Sequence, residues 1–139
     1  MIILDTNVVS ELMRPAASPV VLKSLSKYSA DQICSSSITL AEILYGVELL
    51  PKGRRKDELL AGAERLFRVS LGGRILVFDE PAARHFSQIA IDRRRQGRPI
   101  ADFDAQIAAI ACVHDAIVAT RNIADFEGCG IRLVNPWVD

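Results

Sequence analysis

Four short apolar runs constrain this chain most: Ile2–Leu4, Ile75–Phe78, Ala116–Ala119 and Ile131–Val134, with Gln32–Ser35 as a fifth candidate. Each is brief, continuous rather than alternating, and partly β-branched. Strands covered on both faces read this way, because neither side of the pleat meets water. Helical periods fill the gaps. Ser18 and Pro19 open one helix as N-cap and N1, with Val21, Leu25 and Tyr28 on one face. A second runs over Ile38–Leu50 with Leu40, Ile43, Leu44 and Val47 as its stripe. Leu59, Ala63, Leu66 and Phe67 mark a third. A fourth starts at Pro81 after Asp79 and turns Phe86, Ile89 and Ala90 inward. Asp104–Val113 is a fifth, whose alanines predict close packing on a sheet. Leu50–Lys56 reads as a helix–helix junction. Strands alternating with helices predict an α/β/α sandwich around a mostly parallel sheet.

At 139 residues the chain fits one domain over 1–139, long enough to bury a core without disulfides or metals as staples. Seventeen basic and seventeen acidic residues cancel, which excludes a simple polycationic coat for nucleic acid. No apolar run reaches the roughly 18 residues of a membrane span, and the first residues show no basic segment or cleavage site of a signal peptide. Cys34, Cys112 and Cys129 are odd in number and lack C-x-x-C spacing, so reduced thiols in a cytoplasm are expected.

Open parallel sheets bind ligands beyond the carboxyl ends of their strands. Asp5 follows the first apolar run directly. Glu42 lies near the start of the helix after the second strand, and Asp104 near the start of the fifth helix. Asn122 and Asp125 follow the run ending at Ala119. Each also has a purely structural reading. Asp5 can cap a helix through Val8 and Leu12. Glu42, three residues after Thr39, can complete a capping box, or sit a turn further in if Ser37 is the cap. Asp104 can favour a helix dipole in a first turn capped by Asp102, and Asp125 can cap a turn. Gathered in one pocket, the acids would repel: two unit charges about 4 Å apart cost on the order of 4 kcal/mol at an effective dielectric near 20. Such a cluster needs a cation or raised pKa values. Oxygen ligands without His or Cys favour Mg²⁺ or Mn²⁺ over zinc.

The segments Ile2-Ile3-Leu4-Asp5-Thr6-Asn7, Ile38-Thr39-Leu40-Ala41-Glu42-Ile43, Asp104-Ala105-Gln106-Ile107-Ala108-Ala109 and Thr120-Arg121-Asn122 with Asp125-Phe126 resemble the four motifs of the PIN domain. The likeness is to the VapC-type toxins of bacterial toxin–antitoxin modules, and Asn135-Pro136-Trp137 is similar to the ending of many such chains. The resemblance spans essentially the whole chain. It implies a Mg²⁺-dependent endoribonuclease, with Mn²⁺ able to substitute, that leaves a 3′-hydroxyl and a 5′-phosphate. It implies a homodimer and a partner antitoxin that covers the acidic site. Asp5, Glu42 and Asp104 carry over as metal-binding acids, Thr6 and Asn7 as shapers of the first loop, and Thr120 as the group holding a metal-bound water or carboxylate. Where the family often has an acid, this chain has Asn122. Its amide oxygen can ligate without charge and comes first after the strand end, nearer the cleft; Asp125, three residues on, is the alternative that restores the charge, yet its place is toward solvent or as a cap of the turn.

Arg93, Arg94, Arg95 and Arg98 form a basic run at the end of the fourth helix. They read either as a solvated helix end favoured by its dipole or, through Arg93, Arg94 and Arg98, as a grip on an RNA backbone. Lys52, Arg54, Arg55 and Lys56 admit the same two readings. The apolar residues of Ile38–Leu50 and Leu59–Phe67 exceed what two solvent-facing helices need, and predict a subunit contact unless both faces pack on the sheet. A phospho-acceptor receiver domain is the rival from another class; it lacks an acid beside Asp5 and a Lys after Lys56. An acid-nucleophile phosphatase would place a second Asp at position 7, which is Asn7. A catalytically inactive interaction module is the third option.

Overall fold

A computed structural model describes residues 1–139. The strands β1 (Ile2–Leu4), β2 (Ile33–Ser36), β3 (Ile75–Leu76), β4 (Ile117–Ala119) and β5 (Arg132–Val134) form one sheet in the order β3-β2-β1-β4-β5, and every neighbouring pair is parallel. The helices are α1 (Thr6–Leu12), α2 (Pro19–Leu25), α3 (Ser37–Glu48), α4 (Arg54–Arg65), α5 (Glu80–Arg95), α6 (Asp102–His114) and α7 (Ile123–Phe126). The expected sandwich is therefore present, with a sheet that is wholly parallel.

Strand β1 lies at the centre and is buried throughout, which is why its sequence is an unbroken apolar run. Its side chains alternate between two cores. Ile3 joins Val118 and the buried residues of α5 and α6; Ile2 and Leu4 join Val8, Val9, Val21, Ile43 and Phe67. On the first side α6 buries Ala105, Ile107, Ala108, Ala109, Ile110 and Ala111 in near succession, the signature of a helix with protein around most of its circumference. Its four small side chains let α5 and the sheet approach from different directions.

The chain departs from its periodicity in instructive places. Ile75–Phe78 yields a strand of only two residues. β3 is an edge strand, and Phe78 leaves the ladder to meet Phe86 edge-on, ring centres 6.0 Å apart. Gln32 belongs to a 3₁₀ turn, so β2 starts one residue later than its candidate run. Helix α4 continues past Arg65 as a π-helical segment over Leu66–Ser70, which seats Phe67 in the core before Gly72 and Gly73, both at positive φ, turn the chain toward β3. Helix α6 begins at Asp102 with Ala101 as N-cap, so Asp102 lies inside the first turn and does not cap it.

The strand order places the functional crevice. The chain moves outward from β1 to β2 to β3, then returns to the other side of β1 with β4 and β5. That reversal leaves a gap beyond the carboxyl ends of β1 and β4, where no crossover helix covers the sheet end.

Candidate active site

The gap is a pocket of about 190 Å³ lined by Asp5, Thr6, Asn7, Glu42, Asp104, Ile107, Asn122, Asp125 and Phe126. Four carboxylates from four separate stretches of chain thus meet at the switch between β1 and β4.

Asp5 extends β1 by one residue, its N–H donating to the Ala119 carbonyl at 3.0 Å, before Oδ1 accepts the Val8 N–H at 3.0 Å. It is both the N-cap of α1 and a wall of the pocket; the structural and functional readings hold together. Burial raises its carboxyl above the usual range, and the Glu42 charge adds to that. The Thr120 hydroxyl and the N–H groups of Val8 and Asn7 act in the opposite direction. Thr120 is fully buried beneath Asp5, and its Oγ1 also accepts the Asn122 N–H at 3.0 Å, so one hydroxyl ties the ends of both strands together.

Glu42 is no member of a capping box. Ser36 caps α3, accepting the Thr39 N–H at 3.1 Å, and Glu42 falls in the second turn, facing the cleft. There Oε1 accepts the Thr6 hydroxyl at 2.7 Å, and Thr6 Oγ1 lies 3.4 Å from that of the fully buried Thr39. Thr39 thus positions Thr6, which positions Glu42. The Thr-x-x-Glu spacing that suggests a capping box records this arrangement instead. Ser35, also fully buried, donates to the Leu4 carbonyl at 2.8 Å and pins β1 just before Asp5.

Asp104, half-buried in the first turn of α6, shows the largest effect. Its pKa is pushed up to about 6, first by burial, then by the charges of Asp125, Glu42 and Asp5, with Arg93 opposing. Asp125 leads the charges that raise it. The one-turn helix α7 explains how: Asp125 N–H donates to the Asn122 carbonyl at 3.0 Å, and the turn brings the acid back to the pocket wall beside Asn122. The expectation that Asn122 stands in the cleft while Asp125 is peripheral is corrected accordingly: both line the pocket, and Asp125 supplies the fourth charge.

The basic run divides. Arg93 is withdrawn from any RNA-facing surface. It is only 4% exposed, and its guanidinium donates to the carbonyls of Arg98 at 2.7 Å, Asp125 at 2.8 Å and Glu127 at 2.9 Å. A planar cation with several donors is suited to gathering carbonyls from a loop that no strand pairs. Arg98 donates to the Ala124 carbonyl at 3.1 Å and pairs with Glu127 at 3.2 Å. Arg94 is exposed, and none of the three lines the acid pocket.

The donor set is oxygen-only, and four carboxylates share a small pocket; Arg93, the guanidinium that opposes the rise at Asp104, is committed to backbone carbonyls. That unrelieved repulsion, visible in Asp104, fits a hard divalent cation, although no three acids converge to chelating distance as their side chains stand. A mostly apolar groove of about 520 Å³ adjoins the acids. It shares Thr6 and Glu42 with their pocket and runs along Met13, Ile43, Val47 and Leu59.

Comparison with known proteins agrees with this fold. Toxin FitB of Neisseria gonorrhoeae is 40% identical over 139 residues, covering all of both chains. VapC ribonuclease Y4jK of Sinorhizobium fredii is 35% identical over 137 residues, covering 99% of this chain and 98% of its own. The crystal structure of FitAcB from Neisseria gonorrhoeae superposes with a TM-score of 0.86 at 39% identity, covering 100% of both chains. The PIN domain model matches residues 2–127. With the four acids meeting at the β1–β4 switch and this agreement along its length, the chain belongs to the PIN domain family.

Proposed function

We propose that this chain is a divalent-metal-dependent endoribonuclease, the toxin of a toxin–antitoxin pair acting in the cytoplasm. The observation that carries the reading is the convergence of Asp5, Glu42, Asp104 and Asp125 on one pocket. Asp5, Glu42 and Asp104, joined by Asp125 and the Asn122 amide, are the groups that would hold Mg²⁺, or Mn²⁺ in its place. Such an ion supplies activation of a water for attack on a phosphodiester and neutralises charge on the phosphoryl group. The chain's own part is positioning. Thr120 and the start of α1 hold Asp5, Thr6 orients Glu42, and α6 presents Asp104 from the opposite layer. Asn7 shapes the rim of the same pocket.

The apolar groove beside the acids suits the antitoxin, because a protein segment lying there would reach the acid pocket through the shared Thr6 and Glu42. Tyr45, Leu49, Leu60 and Val69 remain exposed on α3, α4 and the π-helical segment, which supports a homodimer through that side. Light scattering should return twice 15.2 kDa at micromolar concentration; a mass near the single-chain value counts against the dimer.

The direct test is cleavage of an RNA panel with Mg²⁺ and with excess EDTA. Asp104→Asn keeps volume and removes charge, so cleavage should fall by on the order of a hundredfold or more while the fold survives. Equal cleavage in EDTA would sink the metal-dependent reading. A Mn²⁺ titration by calorimetry separates the last two ligands: Asp125→Asn should weaken binding and Asn122→Asp should tighten it.

A further inference from the structure

A polar pocket of about 510 Å³ adjoins the acid pocket, and Asn7 and Asn122 line both. Its other walls are Ser10, Glu11, Arg14, Arg121 and Trp137. None of these five takes part in holding the acids together.

Arg121 follows the buried Thr120 at the end of β4, and its guanidinium stands 4.8 Å from the centre of the Trp137 ring. Trp137 is itself anchored. Its backbone N–H donates to Asn135 Oδ1 at 3.0 Å, and its half-buried ring packs against the core shared with α1, α2 and α4. Asn135 Nδ2 reaches back to the Arg121 carbonyl at 3.4 Å. An exposed arginine would ordinarily sample many rotamers; here an aromatic ring and a hydrogen-bonded loop hold it at the pocket wall. Across the pocket, Arg14 donates to both oxygens of the buried Glu11 at 3.2 and 3.3 Å, and the Ser18 N–H donates to Glu11 at 3.1 Å. Glu11 is thereby neutralised where it would otherwise repel an anion, while Arg14 stays 66% exposed.

A strand of RNA carries a charge at every nucleotide. A phosphate at the acids would be matched by the divalent cation those residues would hold, and the next one along needs a cation that belongs to the protein. A guanidinium held over an aromatic ring offers both a fork of N–H donors to phosphate and a plane on which a base can stack. We propose that this pocket is the subsite for the nucleotide next to the scissile phosphate, with Arg121 as its main contact, Arg14 as the second cation and Trp137 as a positioning residue acting through Arg121. This rests on the ribonuclease reading above and adds to it the place where substrate is gripped outside the acids.

Trp137 is the only tryptophan of the chain, so its fluorescence reports the pocket directly. Titrating the Asp104→Asn protein in Mg²⁺ with a short single-stranded oligoribonucleotide should quench that emission saturably, with an affinity that falls as salt rises. In the cleaving protein Arg121→Ala should raise KM about tenfold with kcat within about twofold, and lower the salt slope by about one. Trp137→Phe should retain most of the affinity and Trp137→Leu should match Arg121→Ala, a rescue that a merely structural role does not produce. Wild-type cleavage combined with an unchanged KM and salt slope in Arg121→Ala overturns the subsite and leaves the nuclease reading intact. A wild-type protein that neither cleaves RNA nor responds in fluorescence overturns both.

Discussion

The two layers that flank the sheet are built differently. On one side α5 and α6 press together over a core rich in alanine, and α6 is buried around most of its surface. On the other, α1, α2, α3 and α4 enclose larger side chains but leave the 520 Å³ groove and the exposed Tyr45, Leu49 and Val69. The acid pocket draws from both: Glu42 and Thr6 come from the open layer, Asp104 and Asp125 from the closed one, with Asp5 between them. The lesson is a division of labour. A tightly packed layer holds two charges that repel, and a looser one provides room for what the site must meet.

The largest effect is expected at the hub of the closed layer. Arg93→Ala leaves three carbonyls near Asp125 without their donor and opens a void, and should cost about 3 kcal/mol in denaturant unfolding. A smaller loss would mean that the α7 loop holds itself. Ala108→Leu adds bulk where nothing is exposed and should cost roughly 1–3 kcal/mol; a neutral result would show that α6 is packed no more tightly than the other layer.

The next test is electrostatic. In the folded state the Asp104 carboxyl is pushed up to about 6, against 3.8 for an ordinary aspartate in the unfolded chain, so the native chain binds the proton more tightly than the unfolded one. The stability this group contributes is full below the unfolded value and is lost as pH rises through the folded one. Metal-free protein should therefore melt lower at pH 7 than at pH 5, a slope that Asp104→Asn reduces and added Mg²⁺ opposes. A wild-type slope persisting in Asp104→Asn would move the effect to other groups.

The smallest effect belongs to the open layer and has the opposite sign. A Cβ on Gly46 of α3, or on Gly62 of α4, meets no atom within 4 Å. Gly62→Ala should stabilise by about 0.5–1 kcal/mol through helix propensity alone, read as a raised midpoint at unchanged m-value. Destabilisation there would show that this layer is as closed as its counterpart.

Much of this is legible in the sequence. β1 is a central strand because Ile2-Ile3-Leu4 has no polar side to offer water, and Asp5 must then emerge at its end. The caps Asp5 and Asp79 and the alanine-rich α6 follow from local rules that act over a few residues. What local rules do not contain is the partner of each polar group. Asp125 looked peripheral because three residues separate it from Asn122; a single helical turn removes that distance. Arg93 looked like a surface cation because its neighbours Arg94 and Arg95 are, yet its helix face happens to meet the α7 loop. Arg121 and Trp137, sixteen residues apart, form a pair only because β4 and β5 lie side by side. Short-range steric and hydrogen-bonding preferences thus wrote the elements into the sequence. The charges and rings that meet across the sheet end were decided by strand order, a property of the whole chain's packing.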